Sequence, residues 1–315
     1  MISKLFKFSI LFITLCTIRF NAMAQQDGMN SQYFFHKMYI NPGYAGTIDE
    51  IQSTLTRRDQ WVNIPGSPKT TSIMVHGPMG EYNFGVGGIF ILDQLGPESK
   101  SSFLLNVSYQ IHINYKVKLS LGIQAGLISD NIRWEDIEVK DKYDPLVYEQ
   151  ENSSRYSPDF NVGIYLYGLS WYAGVSARHL TQSEYAYSEG TVYKSAYSLL
   201  SRHIYLFSGV IFPLTRDHSI YMKPSFMLKY LQSTGIQYDV TTNFLFMNRF
   251  WLGATYRNTK SIIAMTAFNI TPSITLGYSY DIDLGKTLKF GSNSHEVMIS
   301  YSLKDKKRII NPRQF

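Results

Sequence analysis

The sequence predicts an all-β chain, a transmembrane β-barrel of about 14 antiparallel strands. Three observations predict it. The N-terminus reads as an export signal, apolar residues alternate with polar or small ones over stretches of about ten residues, and the connections between those stretches alternate between tight and long.

The export signal comes first. Lys4 and Lys7 precede the apolar stretch Phe8–Ile18, and Ala22-Met23-Ala24 follows as a small-x-small exit. The apolar stretch is too short to cross a bilayer as a helix. Residues 1–24 are therefore expected to be a signal peptide cut after Ala24, leaving Gln25 as the first mature residue. The one cysteine, Cys16, lies within it. Thr14 and Leu15 before it do not suit lipidation, and the mature chain has no disulfide framework and no cysteine–metal site. Loss of Lys4, Lys7 and Arg19 takes the 30 basic residues to 27 against 24 acidic ones, a net charge of +3. The bases are dispersed except for Lys304 to Arg308, which reads as a solvated tail, so no nucleic-acid partner is expected. With 24 Tyr and 19 Phe in 315 residues, and no apolar run of about 18 residues after the signal, the composition reads as all-β without a membrane helix. A closed barrel is then the form that can span a membrane.

The strands follow in order, near 51–58, 69–77, 82–91, 101–113, 116–129, 159–167, 169–180, 199–212, 218–231, 236–246, 249–257, 260–269, 272–282 and 294–303. The alternation is plain in Ser101–Asn114, where Phe103, Leu105, Val107 and Tyr109 alternate with Asn106, Ser108 and Gln110, and in Ser273–Ile282. Strands near 51–58 and 199–212 alternate poorly. A soluble sandwich alternates too, but its strands are typically about five or six residues long. Tight connections are expected at 78–81, 114–115, 168, 213–217, 247–248 and 270–271, and long ones at 59–68, 92–100, 130–158, 181–198 and 283–293. Short turns on one rim and long loops on the other are the layout of an outer-membrane barrel. Parity sets Phe103, Leu105, Val107, Leu119, Leu121, Trp171, Val175, Leu276 and Tyr278 toward lipid. It sets Asn106, Gln124, Arg178, Lys223, Lys229, Asp239 and Arg257 toward the lumen.

Residues 25–50 do not read as a strand. Asn41-Pro42-Gly43 is a turn signal, and the segment either folds inward as a plug or hangs as a periplasmic leader. The division expected is thus signal 1–24, lead or plug 25–50, barrel 51–303 and periplasmic tail 304–315. Catalytic chemistry has no carrier. The seven histidines are scattered, and His295-Glu296 would face opposite sides of a strand. No G-x-S-x-G, S-x-x-K or P-loop occurs, and Gly85-Val86-Gly87-Gly88 sits inside a strand, where small residues ease packing. An outward His295 leaves one opening, a barrel hydrolase acting at the membrane boundary. No enzyme activity, metal or cofactor is expected.

Several segments together resemble the PorP/SprF family, membrane proteins of the Bacteroidetes type IX secretion system. Ser31–Gly46, SQYFFHKMYINPGYAG, is similar to the family's SQY…INPAYAG lead, with Gly43 in place of Ala. Arg58–Met79 resembles its R-x-Q-W…G-A-P-x-T…P-L block, with Ser67 for Ala and Met79 for Leu. Gly85–Pro97, PDFNVGIYLYG, KPSFMLKY and SHEVMISYSL also match, and the terminal NPRQF resembles S-P-R-x-F, with Asn311 for Ser. The resemblance implies a non-enzymatic outer-membrane barrel that helps secrete, anchor or present cargo proteins at the cell surface, in some relatives gliding adhesins. It implies contacts with outer-membrane lipid, with cargo bearing a C-terminal sorting domain and with periplasmic secretion components. The motif residues Asn41, Pro42, Gly46, Arg58, Gln60, Trp61, Pro68, Asn311, Pro312, Arg313 and Phe315 are the candidate partner positions. Gln60 and Trp61 fall on the long-loop rim, where an aromatic anchors at the interface or docks a partner. Asn311–Phe315 reads as a docking peptide or a barrel-insertion signal. The other function weighed is a FadL-like transporter of small hydrophobic solutes, which needs a continuous lumen or a lateral gap, whereas a cargo anchor needs a sealed lumen and a partner-binding rim.

Overall fold

A computed structural model describes residues 28, 30–80, 82–133, 136, 153–182, 184–186, 197–231, 235–285 and 293–304. Fourteen strands form the barrel: β1 (Glu50–Asp59), β2 (Lys69–Pro78), β3 (Phe84–Leu95), β4 (Glu98–His112), β5 (Lys118–Ile132), β6 (Ser153–Tyr167), β7 (Trp171–Arg178), β8 (His203–Val210), β9 (Ile220–Leu231), β10 (Gly235–Phe246), β11 (Phe250–Arg257), β12 (Ser261–Asn269), β13 (Ile274–Asp283) and β14 (Ser294–Lys304). Each pairs antiparallel with its chain neighbours. Phe212–Pro213 continues β8 beyond a break at Ile211 and keeps pairing with β9. The sheet closes when β1 pairs with β14, from Glu50↔Lys304 to Asp59↔His295. Closure joins the first strand to the last and so meets their edge amides without water; the shortest seam is β6–β7, laddered only from Val162 to Tyr167.

The alternation has the expected sense. Phe103, Leu105, Val107, Leu121, Val175, Leu276 and Tyr278 are exposed on the outer wall, while Asn106, Gln124, Arg178, Lys223, Lys229, Asp239 and Arg257 are buried in the lumen. Leu119 and Trp171, also set outward, are half-buried.

The connection at 92–100 and the strand at 199–212 differ from expectation. The loop expected over 92–100 is a two-residue turn, Gly96-Pro97, because β3 and β4 pair as far as Leu95↔Glu98. Asp93, Gln94, Ser99 and Lys100 are polar, which reads as loop in sequence, but they stand in strands that rise beyond the apolar band. The strand expected over 199–212 is the shorter β8, whose inward His203, Tyr205 and Phe207 blur an apolar-out, polar-in pattern. Between β7 and β8 lies a small hairpin, Glu184–Ala186 paired with Tyr197–Leu199. The signal residues 1–24 and the tail beyond Lys304 lie outside the described residues.

Candidate functional site

The lumen is filled by the chain's own lead. From Asn30 to Thr47 nearly every residue is buried, and the segment is folded as a turn at 31–35, a one-turn helix α1 (Lys37–Ile40) and a 3-10 turn (Pro42–Tyr44). Such short elements do not hold themselves together in water. The wall holds them, through two docks and an aromatic layer.

The first dock is a belt of small residues. Gly85, Ser108, Gly122, Gly163 and Ser176 are register partners across β3 to β7, and all are buried. The stretch Ile40–Gly46 lies on this belt. Ser176 Oγ donates to Ile40 O at 2.7 Å. On β4 the inward Asn106, Ser108 and Gln110 donate in turn to Pro42 O, Ala45 O and Gly46 O. Asn41 Oδ1 accepts from Gly43 N at 2.7 Å, which closes the turn. Its Nδ2 donates to Ile164 O and Val175 O of the wall at 2.9 and 3.1 Å. A Cβ at Gly122 would fall 2.2 Å from Gly43 N, and one at Gly163 would fall 2.0 Å from Asn41 Oδ1. The belt must be glycine there for the lead to come so close. Gly46 meets the same demand from the other side, with φ +66 and a virtual Cβ 2.4 Å from Gly85 Cα.

The second dock is ionic and lies toward the long-loop rim. Arg58 reaches Asp281 at 2.6 Å and Glu296 at 3.4 Å. Arg257 pairs with Asp239 at 2.9 Å and stands 4.0 Å from Asp281. Three buried carboxylates thus face two guanidinium groups, and the lead supplies further donors. Ser31 N and Gln32 N donate to the two oxygens of Glu296 at 2.6 and 3.0 Å. Ser31 Oγ donates to Asp281 and accepts from Arg58. A buried carboxylate is costly unless its lone pairs are met, and the lead's donors meet lone pairs of Asp281 and Glu296. Tyr33 extends the contact, its hydroxyl lying 3.0 Å from Ser225 Oγ and 3.1 Å from Thr241 Oγ1.

Toward the short-turn rim the filling is aromatic. Tyr44 meets Tyr165 edge-on at 5.5 Å between ring centroids, and Phe34 and Phe35 flank Trp251 at 5.7 and 5.2 Å. Lys37 Nζ lies 4.4 Å from the Phe34 centroid and 4.8 Å from that of Tyr172, and Lys223 Nζ lies 4.1 Å from that of Trp251. These rings supply the cation–π attraction open to desolvated ammonium groups.

The motif residues therefore divide. Asn41, Pro42 and Gly46 form the belt dock and Arg58 the ionic one. Gln60, Trp61 and Pro68 stand apart on the long-loop rim. There Gln60 N bonds Pro68 O, Ile64 N bonds Trp61 O and Gly96 N bonds Gly66 O, at 2.8 to 2.9 Å. Trp61 N donates to Ser294 Oγ at 3.2 Å, and its φ of 47° is held by this bonded loop. Asn311, Pro312, Arg313 and Phe315 lie outside the described residues. Sequence reasoning missed Glu296, Asp281 and the belt; Glu296 lies in a matched segment, SHEVMISYSL, which was the available signal. His295 points outward, with Nδ1 2.7 Å from the Tyr278 hydroxyl. Among the described residues no three His, Cys, Asp or Glu side chains are grouped to hold a metal ion.

A sequence model of the family described as "Type IX secretion system membrane protein PorP/SprF" matches residues 22–301. No curated protein matches the chain. Solved structures similar in outline include the CymD monoaromatic hydrocarbon channel, at 10% identity and TM-score 0.48 over 90% of this chain and 95% of that one. The Pseudomonas putida toluene transporter TodX stands at 7% and 0.47 over 91% and 96%. A Pseudomonas aeruginosa FadL homologue stands at 11% and 0.45 over 84% and 92%. The barrel is established by its own strand pairing.

Proposed function

The chain belongs to the PorP/SprF family of type IX secretion system membrane proteins, and from that premise we propose that it is a non-enzymatic outer-membrane component that helps secrete, anchor or present cargo at the cell surface. The observation that supports this reading is the filled lumen. The lead is bonded to both halves of the wall, so exported protein has no path through the barrel and is handled at its rims. The bonded loop Gln60–Pro68, with Trp61 and Val62 on it, offers a pre-organised surface on the long-loop rim, and proteins with a C-terminal sorting domain are the partners it is proposed to meet there. Periplasmic secretion components are proposed partners of the opposite rim.

A FadL-like transporter of small hydrophobic solutes needs an open lumen or a gap between strands. Among the described residues every strand pairs with both neighbours, β6 with β7 over Val162–Tyr167, and the lumen is occupied, which favours the anchoring reading. Deleting this chain from its host tests it. Loss of a secreted protein from the cell surface, with uptake of hydrophobic solutes unchanged, is expected. Unchanged surface proteins together with impaired solute uptake would overturn the proposal.

A further inference from the structure

The outer face of the wall behind the belt carries an apolar groove of about 580 Å³, within the roughly 300–1,000 Å³ range of sites for small molecules. Its floor is the backbone at Gly122 and Gly163, and its sides are outward side chains from successive strands. Leu121 and Ile164 stand on one side, Ile123 and Val162 on the other. Ala177, paired with Val162 and Ile204, leaves depth between two branched neighbours. The groove does not lead inward. Ser108↔Gly122, Gly122↔Gly163 and Gly163↔Ser176 are ladder pairs, and the lead lies behind them.

One end of the groove reaches the short-turn rim at Phe84, the first residue of β3, whose ring lies 4.9 Å from that of Tyr109. The adjoining turn between β4 and β5 carries exposed Tyr115 and Lys116, with Lys116 Nζ 5.1 Å from the Tyr115 ring centroid. Aromatic rings at the groove's end, with a lysine on the next turn of the same rim, are the chemistry of a membrane interface, where rings sit at headgroup depth and cations meet phosphate.

We propose that this groove holds one acyl chain of a glycerophospholipid, with the lipid phosphate met by Lys116. The groove is continuous with the lipid-facing belt, so a chain enters from the bilayer without crossing the wall. Its apolar lining gives a buried chain more contact than a flat wall gives an annular one. The charge on the adjoining turn favours a phosphate-bearing lipid over one without phosphate. The proposal rests on the barrel alone and stands whether or not the secretion role does.

The test is native mass spectrometry of the full-length protein, extracted from its own membrane in mild detergent and passed through gel filtration. Wild type is expected to keep a single phospholipid adduct. Ala177→Trp, which fills the groove from outside and touches nothing in the lumen, is expected to lose it. Ala264→Trp, an outward change on β12, is expected to keep it, and Lys116→Glu to weaken it. Should A177W fail to show the heat-modified gel mobility of a folded barrel, Val162→Phe fills the same space. Wild type without an adduct, a folded groove-filled variant that keeps it, or recovery of a free fatty acid or a polypeptide in its place would each overturn the proposal.

Discussion

Replacing Gly122 by valine tests whether the lead is what closes the barrel. Valine suits a strand, and the wall itself has no reason to reject it. The obstacle is inside. The new Cβ would fall 2.2 Å from Gly43 N and 2.3 Å from Pro42 C, and both are backbone atoms that cannot rotate away. The lead must lift from the belt, giving up the four bonds from Ser176, Asn106, Ser108 and Gln110 and the two from Asn41 to the wall. At about 1 kcal/mol for each net hydrogen bond, the docked state loses about 6 kcal/mol, roughly ten-thousandfold or more in occupancy. In planar bilayers wild type is expected to stay closed, whereas folded G122V is expected to show ion-conducting steps and a lead open to added protease. A G122V barrel that stays closed, with its lead protected, would refute the reasoning.

Three further outcomes follow from the same geometry. Arg58→Met leaves Asp281 and Glu296 buried with a missing cation, a loss of about 3–5 kcal/mol, read as a lower heat-modification temperature on gels; an unchanged temperature would contradict the network. Asn41→Asp is expected to expose the lead to protease more than Asn41→Ala does, because a carboxylate would face the Ile164 and Val175 carbonyls where an amide now donates. The opposite order would remove Asn41 from the belt dock. Trp61→Ala is expected to weaken cargo retention while the barrel stays at normal abundance in the membrane, and undiminished retention would take Trp61 out of the partner surface.

Much of the wall was legible in the sequence because a lipid-facing barrel imposes period two on every strand. Phe103 against Asn106, or Leu276 against Ser279, announces its own face. The pattern failed where the lumen is itself apolar: Tyr205 and Phe207 point inward beside outward Leu206, so β8 reads as apolar on both faces. It failed also at Gly96-Pro97, where the strands outrun the apolar band and polarity mimics a loop. The belt was illegible for a different reason. Gly85, Ser108, Gly122, Gly163 and Ser176 lie on five strands, and only the register shows them as one row. The ionic dock likewise joins Arg58 to Glu296 across 238 positions of chain. A turn signal at Asn41-Pro42-Gly43 could be read, but what the turn rests on could not.

The measurement that bears most directly on the proposed secretion role is a pull-down of the tagged protein from native membranes, with the bound proteins identified by mass spectrometry. Recovery of a secreted protein with a C-terminal sorting domain, or of periplasmic secretion components, is the expected result. Recovery of the barrel alone, in a form that takes up a hydrophobic solute in liposomes, would contradict it and favour a transporter.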